Sequence, residues 1–329
     1  MFAGISILSM LENNSDVEEL EFFLLEDNIS TQNKSKIKSI FDKYNKECHF
    51  LDANVCFQTI IQKYNMKDYN GGKTGWLRIF PDVIFPGYEG DVLYMDSDTI
   101  VNGSIKGLCH LEWGDKVITA SNCSPIGTAR IMKWFAGREE MEIIQQRGGQ
   151  YFNSGIIIYN MKNFKEKKGR ERMDYAMTGL KELVFIDQSV LNKAFGNDDV
   201  LNMEHKYNYY FHIEPKYSRF IERTGELEGI DMKPTVDAPV IVHYPGERPW
   251  FKESISRKAY LYEKYRDISP WKGTELSYWD SPQYRRLKLI DKIFERIRRK
   301  IYHTRIYGYY SYLKDSKALR FAEKVKRNG

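Results

Sequence analysis

The alternation of apolar and polar stretches along the first 64 residues predicts strands and helices in turn. Residues 2–11 carry apolar side chains at helical spacing, which predicts a helix that faces the core. Residues 20–25 (LEFFLL) and 48–51 (CHFL) are typical of buried strands. Each is followed by an amphipathic segment that predicts a helix, the first with Ser30 as its N-cap. This β-α-β-α order predicts a parallel, doubly wound α/β sheet.

Later apolar runs predict the remaining elements. The predicted strands are Asp91–Met95 (DVLYM), 116–120 (KVITA), 155–159 (GIIIY) and 240–244 (VIVHY). The predicted helices are 170–183, 286–302 and 309–326. A basic, aromatic stretch follows the last strand. We therefore place an α/β domain over residues 1–252 and a basic helical C-terminal region over residues 253–329.

Composition narrows the class of protein. Of the 329 residues, 42% are hydrophobic and 29% charged, which is typical of a globular chain and excludes a mainly disordered one. No window approaches the ~20 consecutive apolar residues of a membrane-spanning helix. The four cysteines form no Cys-x-x-Cys pair. This spacing argues against structural zinc and against a disulfide scaffold, and it indicates a reducing cytoplasm.

Charge is distributed unevenly along the chain. The net charge is +5, but residues 283–329 contain 15 Lys/Arg against 4 Asp/Glu. Residues 288–302 mix apolar side chains with arginine and lysine in the pattern of a basic amphipathic helix. We expect this helix to dock peripherally on the anionic inner face of the cell membrane. The alternative is a helix that packs on the preceding domain with a solvated basic face. No nucleic-acid partner is expected, because no nucleic-acid-binding motif accompanies the charge.

A pair of carboxylates follows the predicted strand Asp91–Met95. Asp96 and Asp98 flank Ser97 at the carboxyl end of this strand, the edge at which open α/β sheets bind ligands. Because side chains alternate along a strand, both carboxylates are expected on one side, where they can bind a cation such as Mg²⁺ or Mn²⁺. The whole motif, Ser97 included, is then a cofactor-binding segment. An acidic turn without a metal has the same sequence pattern.

Other polar residues carry chemistry at predicted strand and helix ends. His243 ends a strand, where an imidazole can supply a third metal ligand, although a half-buried structural histidine is more common. Asn153 offers donor and acceptor groups for sugar hydroxyls. Asp187 precedes a helix together with Gln188, and in isolation an N-cap role is the more common explanation of such an aspartate. Arg78 can reach a phosphate or be a solvated helix residue.

The order and spacing of four segments resemble glycosyltransferase family 8. These segments are LYMDSDTIV, FNSGIIIYN, DQSVLN and HYPGERPW. The family includes bacterial lipopolysaccharide and capsule galactosyl- and glucosyltransferases, and the resemblance extends over residues 2–250. It implies a GT-A fold, which is a Rossmann-like, mostly parallel sheet flanked by helices. It also implies retaining transfer of galactose or glucose from a UDP-hexose to a cell-surface glycan, either an oligosaccharide or a lipid-linked acceptor.

The resemblance assigns the metal to the first and last segments. Asp96 and Asp98 match the family's Asp-x-Asp and His243 matches its third ligand, which implies Mn²⁺, with Mg²⁺ as the alternative. Gly246 and Arg248 are expected to assist at the diphosphate. The family's last motif usually reads His-x-x-Gly-x-x-Lys-Pro-Trp, whereas the loop here is one residue shorter and has arginine for lysine. Because the arginine and lysine side chains bind phosphate with different geometry, we expect the contacts of Arg248 with the diphosphate to differ from those of the family's lysine.

The resemblance also assigns residues to the donor sugar. Asn153 matches an asparagine near the transferred hexose, and Asp187 and Gln188 match an Asp-Gln pair beside it. Arg78 matches an arginine that contacts the donor. Retention needs either a carboxylate nucleophile, for which Asp187 is the candidate, or acceptor attack on the leaving-group side. The sequence leaves both mechanisms open.

Two alternatives compete with an active transferase. Family members open with a strand that binds uridine, and the segment that begins this sequence resembles the helix after that strand. We therefore expect the first strand to be missing, through a late start codon or a truncated gene. A non-catalytic glycan-binding or scaffold protein is then the main alternative. A phosphohydrolase of the haloacid dehalogenase type also has Asp-x-Asp, but it leaves His243 and Asn153 without a role.

Overall fold

The structure is a computed structural model, and its described part covers most of the chain. The described residues are 1–17, 20–64, 74–178, 185–210, 226–227, 230–231, 238–246, 248–252, 254, 256, 258–277, 289–301 and 304–328. Strands and helices alternate along them, so the predicted α/β class is confirmed.

The described elements agree in most places with the predicted ones. The strands are β1 (Phe22–Glu26), β2 (Cys48–Asp52), β3 (Asp91–Met95), β4 (Thr99–Val101), β5 (Ile118–Asn122), β6 (Phe152–Asn160), β7 (Val200–Asn202), β8 (Glu226–Leu227), β9 (Ile230–Asp231) and β10 (Ile241–His243). The helices are α1 (Phe2–Asn14), α2 (Thr31–Lys43), α3 (Ala53–Tyr64), α4 (Thr74–Leu77), α5 (Pro81–Ile84), α6 (Lys106–Cys109), α7 (Pro125–Trp134), α8 (Arg138–Gln146), α9 (Met161–Glu166), α10 (Gly169–Met177), α11 (Ile186–Ala194), α12 (Ala259–Asp267), α13 (Leu289–Ile301) and α14 (Arg305–Asn328). Ser30 caps α2, as predicted. Residues 179–183 of the predicted helix 170–183 lie outside the described residues.

Strand direction differs from the prediction. The largest described sheet has the order β3-β6-β5-β7, and β6 runs antiparallel to both of its neighbours. Only the β5/β7 pairing of this sheet is parallel, while β1 and β2 form a separate parallel pair. The expected mostly parallel sheet is therefore wrong for this central sheet. The apolar run of β6 indicates burial on both faces, but it carries no information about direction.

Helix α1 faces the core, as predicted, and it also holds the short strand β4. Ile5 is fully buried, and polar side chains lie beside it on the same helix. The hydroxyl of Ser6 lies 2.9 Å from that of Thr99, and the Ser9 hydroxyl accepts a hydrogen bond from the Val101 amide at 2.9 Å. Strand β4 pairs antiparallel with β10. The β4–β10 pair is thus fixed to a buried helix.

The C-terminal residues pack against elements of the first 252 residues. Helix α14 contacts α7, and between them Arg130 donates two hydrogen bonds to the buried Asp315 carboxylate, at 2.6 and 2.5 Å. Tyr262 and Tyr265 of α12 join the same apolar cluster as α1. The boundary between residues 252 and 253 stays a prediction.

Helix α13 has the predicted amphipathic pattern, and its apolar side is not covered by described residues. Leu289, Ile290 and Phe294 are 77%, 60% and 64% exposed. Among the described residues, no helix combines the length and the apolar character needed to cross a membrane.

Candidate active site

The two aspartates converge, but in a turn rather than along a strand. Strand β3 ends at Met95, and residues 96–98 form the turn that leads into β4. The Asp96 amide donates a 2.7 Å hydrogen bond to the Gly155 carbonyl, and the Thr99 hydroxyl donates to the Asp96 carbonyl at 2.9 Å. Carboxylate oxygens of Asp96 and Asp98 lie within 4.8 Å of each other, so the prediction that both point to one side is confirmed, although strand alternation was the wrong reason for it. Ser97 is exposed at the turn.

Strand β10 brings His243 to the same turn. His243 pairs with Thr99 across the antiparallel ladder, and its imidazole is buried. Its Nε2 lies 3.3 Å from Asp98 Oδ1 and 3.6 Å from Asp96 Oδ2. One ligand atom from each of the three residues lies within 4.8 Å of the others. His243 is fully buried rather than half-buried, and its role as a third metal ligand stays a prediction.

This donor set fits a divalent cation. Two carboxylates and one imidazole are ligands that Mn²⁺ and Mg²⁺ accept, with the nitrogen favouring Mn²⁺. The other imidazole nitrogen, Nδ1, lies 3.1 Å from the Asn208 side-chain oxygen, so Nε2 is the atom that faces the carboxylates. Burial raises the pKa of Asp96, although Arg78 opposes this shift. Burial also raises the pKa of Asp98, but the neighbouring His243 outweighs this and leaves it lowered.

Arg78 links the turn that carries Asp96 to Asp187, the predicted catalytic residue. Its guanidinium donates to both oxygens of Asp96, at 2.7 and 3.1 Å, and its Nε lies 3.0 Å from Asp187 Oδ2. Burial lowers the pKa of Arg78, but Asp187 and Asp96 more than reverse this and raise it well above its ordinary value. The alternative of a solvated helix residue is wrong, because the side chain is only 11% exposed. Tyr94 also donates to Asp96, at 2.8 Å.

The predicted sugar-binding residues lie together beside this ion pair. Asp187 Oδ2 accepts a 2.9 Å hydrogen bond from the Ser154 hydroxyl. Gln188 Oε1 accepts from the Asn153 side chain at 3.0 Å and from the Ser154 amide at 3.1 Å. Asp187 lies inside α11, whose N-cap is Phe185, so the N-cap explanation is wrong. The roles of these residues in catalysis and binding stay predictions.

Gly246 and Arg248 of the last motif follow strand β10. Gly246 has a φ of 95°, in the left-handed region that favours glycine, and Arg248 is exposed. Their assignment to the diphosphate stays a prediction, as does the assignment of Ser97.

Sequence reasoning missed two residues of this site. Ser154 contacts both Arg78 and Asp187, and Asn208 contacts both His243 and Asn153. A signal for Asn208 is present: it is a lone amide beside aromatic residues that pack in the core.

Comparison with known proteins decides the family. Residues 1–254 match the model of glycosyl transferase family 8. The chain belongs to this family. It is 25% identical over 290 residues to the lipopolysaccharide 1,2-glucosyltransferase of Escherichia coli, covering 82% of this chain and 76% of that protein. It is 23% identical over 283 residues to the lipopolysaccharide 1,3-galactosyltransferase of Salmonella typhimurium, covering 82% and 74%.

Solved structures share the fold. The bifunctional glycosyltransferase WbbM superposes with a TM-score of 0.66 at 19% identity, covering 82% of this chain and 48% of that one. The galactosyltransferase LgtC, solved in complex with donor and acceptor sugar analogues, superposes with a TM-score of 0.59 at 17% identity, covering 86% of this chain and 94% of that one. The expected GT-A fold is confirmed. This family 8 protein is a hexosyltransferase of the lipopolysaccharide galactosyl- and glucosyltransferase type, so the phosphohydrolase alternative is wrong.

The close approach of β6 to His243 generates a prediction for cation binding. A Cβ at Gly155 would lie 2.2 Å from His243 Cε1, so Gly155→Ala must displace the imidazole. We expect Mn²⁺ affinity to fall by at least about tenfold, the lower end of the losses seen when ligand orientation is disturbed. Electron paramagnetic resonance of free Mn²⁺ measures this affinity.

The matched control is Gly103→Ala, where the new methyl group meets Val240 at an ordinary 3.6 Å. This variant should bind Mn²⁺ like the unaltered protein. Equal affinity in both variants, with Gly155→Ala still folded by circular dichroism, would contradict the assigned cation site.

Proposed function

We propose that this protein transfers glucose or galactose from a UDP-hexose to a glycan acceptor, with retention and with Mn²⁺, or alternatively Mg²⁺, in the site. The observation that carries the proposal is the convergence of Asp96, Asp98 and His243 within 4.8 Å. Arg78 pairs with both Asp96 and Asp187, and so connects Asp187 to this cluster. The Ser154 amide donates to Gln188, the residue after Asp187. A cation site next to hydrogen-bonding groups for a sugar is what a nucleotide-sugar donor requires.

In this proposal the cation is held by Asp96, Asp98 and His243 Nε2. When bound, it supplies positive charge that stabilises the UDP leaving group. Arg78 keeps the Asp96 carboxylate in place through two hydrogen bonds, one to each oxygen. Arg248 and the Gly246 backbone, on the loop after His243, are proposed to contact the diphosphate.

The hexose is proposed to lie against Asn153, Asp187 and Gln188. Two hydrogen bonds to Gln188 Oε1 fix the orientation of its amide. Asp187 is held by Arg78 and the Ser154 hydroxyl, and both interactions draw electron density from the carboxylate. A carboxylate so engaged is a weaker nucleophile, which favours acceptor attack on the leaving-group side over a covalent intermediate on Asp187.

Donor turnover tests this function directly. The purified protein is incubated with UDP-glucose or UDP-galactose, and released UDP is measured with Mn²⁺, with EDTA, and after Mn²⁺ is restored. We expect release only with the cation. Asp98→Asn removes a ligand charge and should lower the rate by at least about 100-fold. The first hexose released should keep the anomeric configuration of the donor by proton NMR.

Asp115→Asn is the matched control, because Asp115 is an exposed carboxylate away from the cluster, paired with Lys167. It should leave the rate unchanged. Full UDP release in EDTA, or equal rates for the two variants, would contradict the proposed function.

We further infer that α13 docks on the anionic cytoplasmic face of the membrane, where a lipid-linked acceptor, the alternative to a free oligosaccharide, would lie. The apolar side chains Ile290, Ile293 and Phe294 are exposed. The helix also carries Arg296 and Lys300, which are exposed as well. Exposed apolar residues argue against the alternative in which this helix packs on the preceding domain. Each basic side chain near an anionic surface adds about 1 kcal/mol to binding.

Co-sedimentation with vesicles tests the docking. With vesicles of phosphatidylglycerol and phosphatidylethanolamine, the double variant Ile290→Ser/Phe294→Ser should bind at least about tenfold more weakly, because each buried apolar side chain contributes about 1.5–3 kcal/mol. The control Val55→Ser/Tyr175→Ser removes residues that are 63% and 75% exposed elsewhere, and it should bind normally. Equal binding of both variants would contradict the assignment to α13.

A further inference from the structure

Asn208 is a buried asparagine that connects the cation ligands to the sugar-binding amides. It is 0% exposed and follows the short 3₁₀ turn His205–Tyr207. Its side-chain oxygen lies 3.1 Å from His243 Nδ1, and its amide nitrogen donates to Asn153 Oδ1 at 3.0 Å. The oxygen of this side-chain amide therefore contacts a predicted cation ligand, and its nitrogen contacts a predicted sugar-binding residue.

Backbone donors of β6 fix the orientation of these amides. The Gly155 amide donates to Asn153 Oδ1 at 3.0 Å, and a backbone N–H can only donate, so this atom of Asn153 is the oxygen. Asn208 must then present its NH₂ group to Asn153 and its oxygen to His243. A carbonyl oxygen accepts, so His243 Nδ1 carries a proton. Nε2 is then the nitrogen that faces Asp96 and Asp98, and its lone pair is available to a cation once its own proton is displaced.

A second backbone donor acts in the same way on the sugar side. The Ser154 amide donates to Gln188 Oε1, which identifies that atom as the oxygen. Asn153 then donates its NH₂ group to the same oxygen. The hydrogen-bond chain His243–Asn208–Asn153–Gln188 thus has a single direction, set by two backbone N–H groups.

We propose that Asn208 is a positioning residue that selects the cation-binding tautomer of His243 and couples it to the amides of the sugar site. Asn208 does not itself face the cation. Its place beside His243 depends on backbone contacts, since the Tyr209 amide donates to the Ile241 carbonyl at 2.9 Å and the His243 amide donates to the Tyr209 carbonyl at 2.8 Å. These contacts remain when the Asn208 side chain is changed.

The two functions of the amide are separable by substitution. Asn208→Asp keeps an oxygen that accepts from His243 Nδ1 but loses the donor to Asn153. Asn208→Ala loses both contacts. A residue with only a structural role would impair the cation site and the sugar site together in both variants, whereas a positioning residue predicts that they diverge.

The experiment combines cation binding, imidazole NMR and donor turnover. For Asn208→Ala we expect Mn²⁺ affinity, measured by electron paramagnetic resonance, to fall about 10–100-fold. We also expect the ¹⁵N spectrum of the metal-free protein, recorded at a pH at which the imidazole is neutral, to lose the Nδ1–H tautomer of His243. Asn208→Asp should keep that tautomer and bind Mn²⁺ at least as tightly as the unaltered protein. Both variants should release UDP from UDP-hexose at least about tenfold more slowly, because Asn153 loses the hydrogen bond that Asn208 donates to it.

Asn14→Ala is the matched control, because Asn14 is another buried asparagine whose oxygen accepts from the Ile105 amide at 2.8 Å, far along the chain from the cluster. It should lose stability but keep Mn²⁺ affinity. The inference rests on the proposed function, and the NMR measurement separates the two. Unaltered protein that shows the Nε2–H tautomer overturns this inference alone, and so does Asn208→Ala with normal Mn²⁺ affinity. Absence of Mn²⁺ binding to the unaltered protein overturns both.

Discussion

Negative charge that is only partly balanced organises the site of this protein. Asp96, Asp98 and Asp187 lie close together, and Arg78 pairs with two of these carboxylates. Carboxylates that share a half-buried site repel one another, and burial makes their charge more costly still. A divalent cation bound between Asp96, Asp98 and His243 would reduce this repulsion. The proposed donor, whose diphosphate would bind together with such a cation, fits this charge distribution.

The backbone of the central strand β6 holds this arrangement. Its Gly155 carbonyl accepts from the Asp96 amide, and the amides of Ser154 and Gly155 orient side chains of the sugar site. The absence of a side chain at Gly155 leaves room for the His243 ring. The backbone of β6 therefore positions both the Asp96 turn and the side chains of Asn153 and Gln188, as the proposed placement of a donor sugar beside its leaving group requires.

Local sequence was enough to predict the motifs but not their partners. The apolar run before Asp96 and the one that contains His243 predicted strand ends, and the pattern of segments identified the family and with it the fold. The direction of the strands in the central sheet could not be predicted, because a strand buried on both faces can have the same composition in a parallel and in an antiparallel pairing. The contacts of Arg78 and Asn208 were also beyond reach. Arg78 and Asp96 are 18 positions apart, and Asn208 and His243 are 35 apart. Only the tertiary fold brings each pair together.

Crystals of the protein with Mn²⁺ and UDP, measured at a wavelength where manganese scatters anomalously, test the central claim most directly. The account predicts one strong anomalous peak bonded to Asp96, Asp98 and the Nε2 atom of His243, with the UDP diphosphate bound to the same ion. A peak elsewhere, a peak bonded through His243 Nδ1, or UDP bound with no manganese between Asp96 and Asp98 would contradict it.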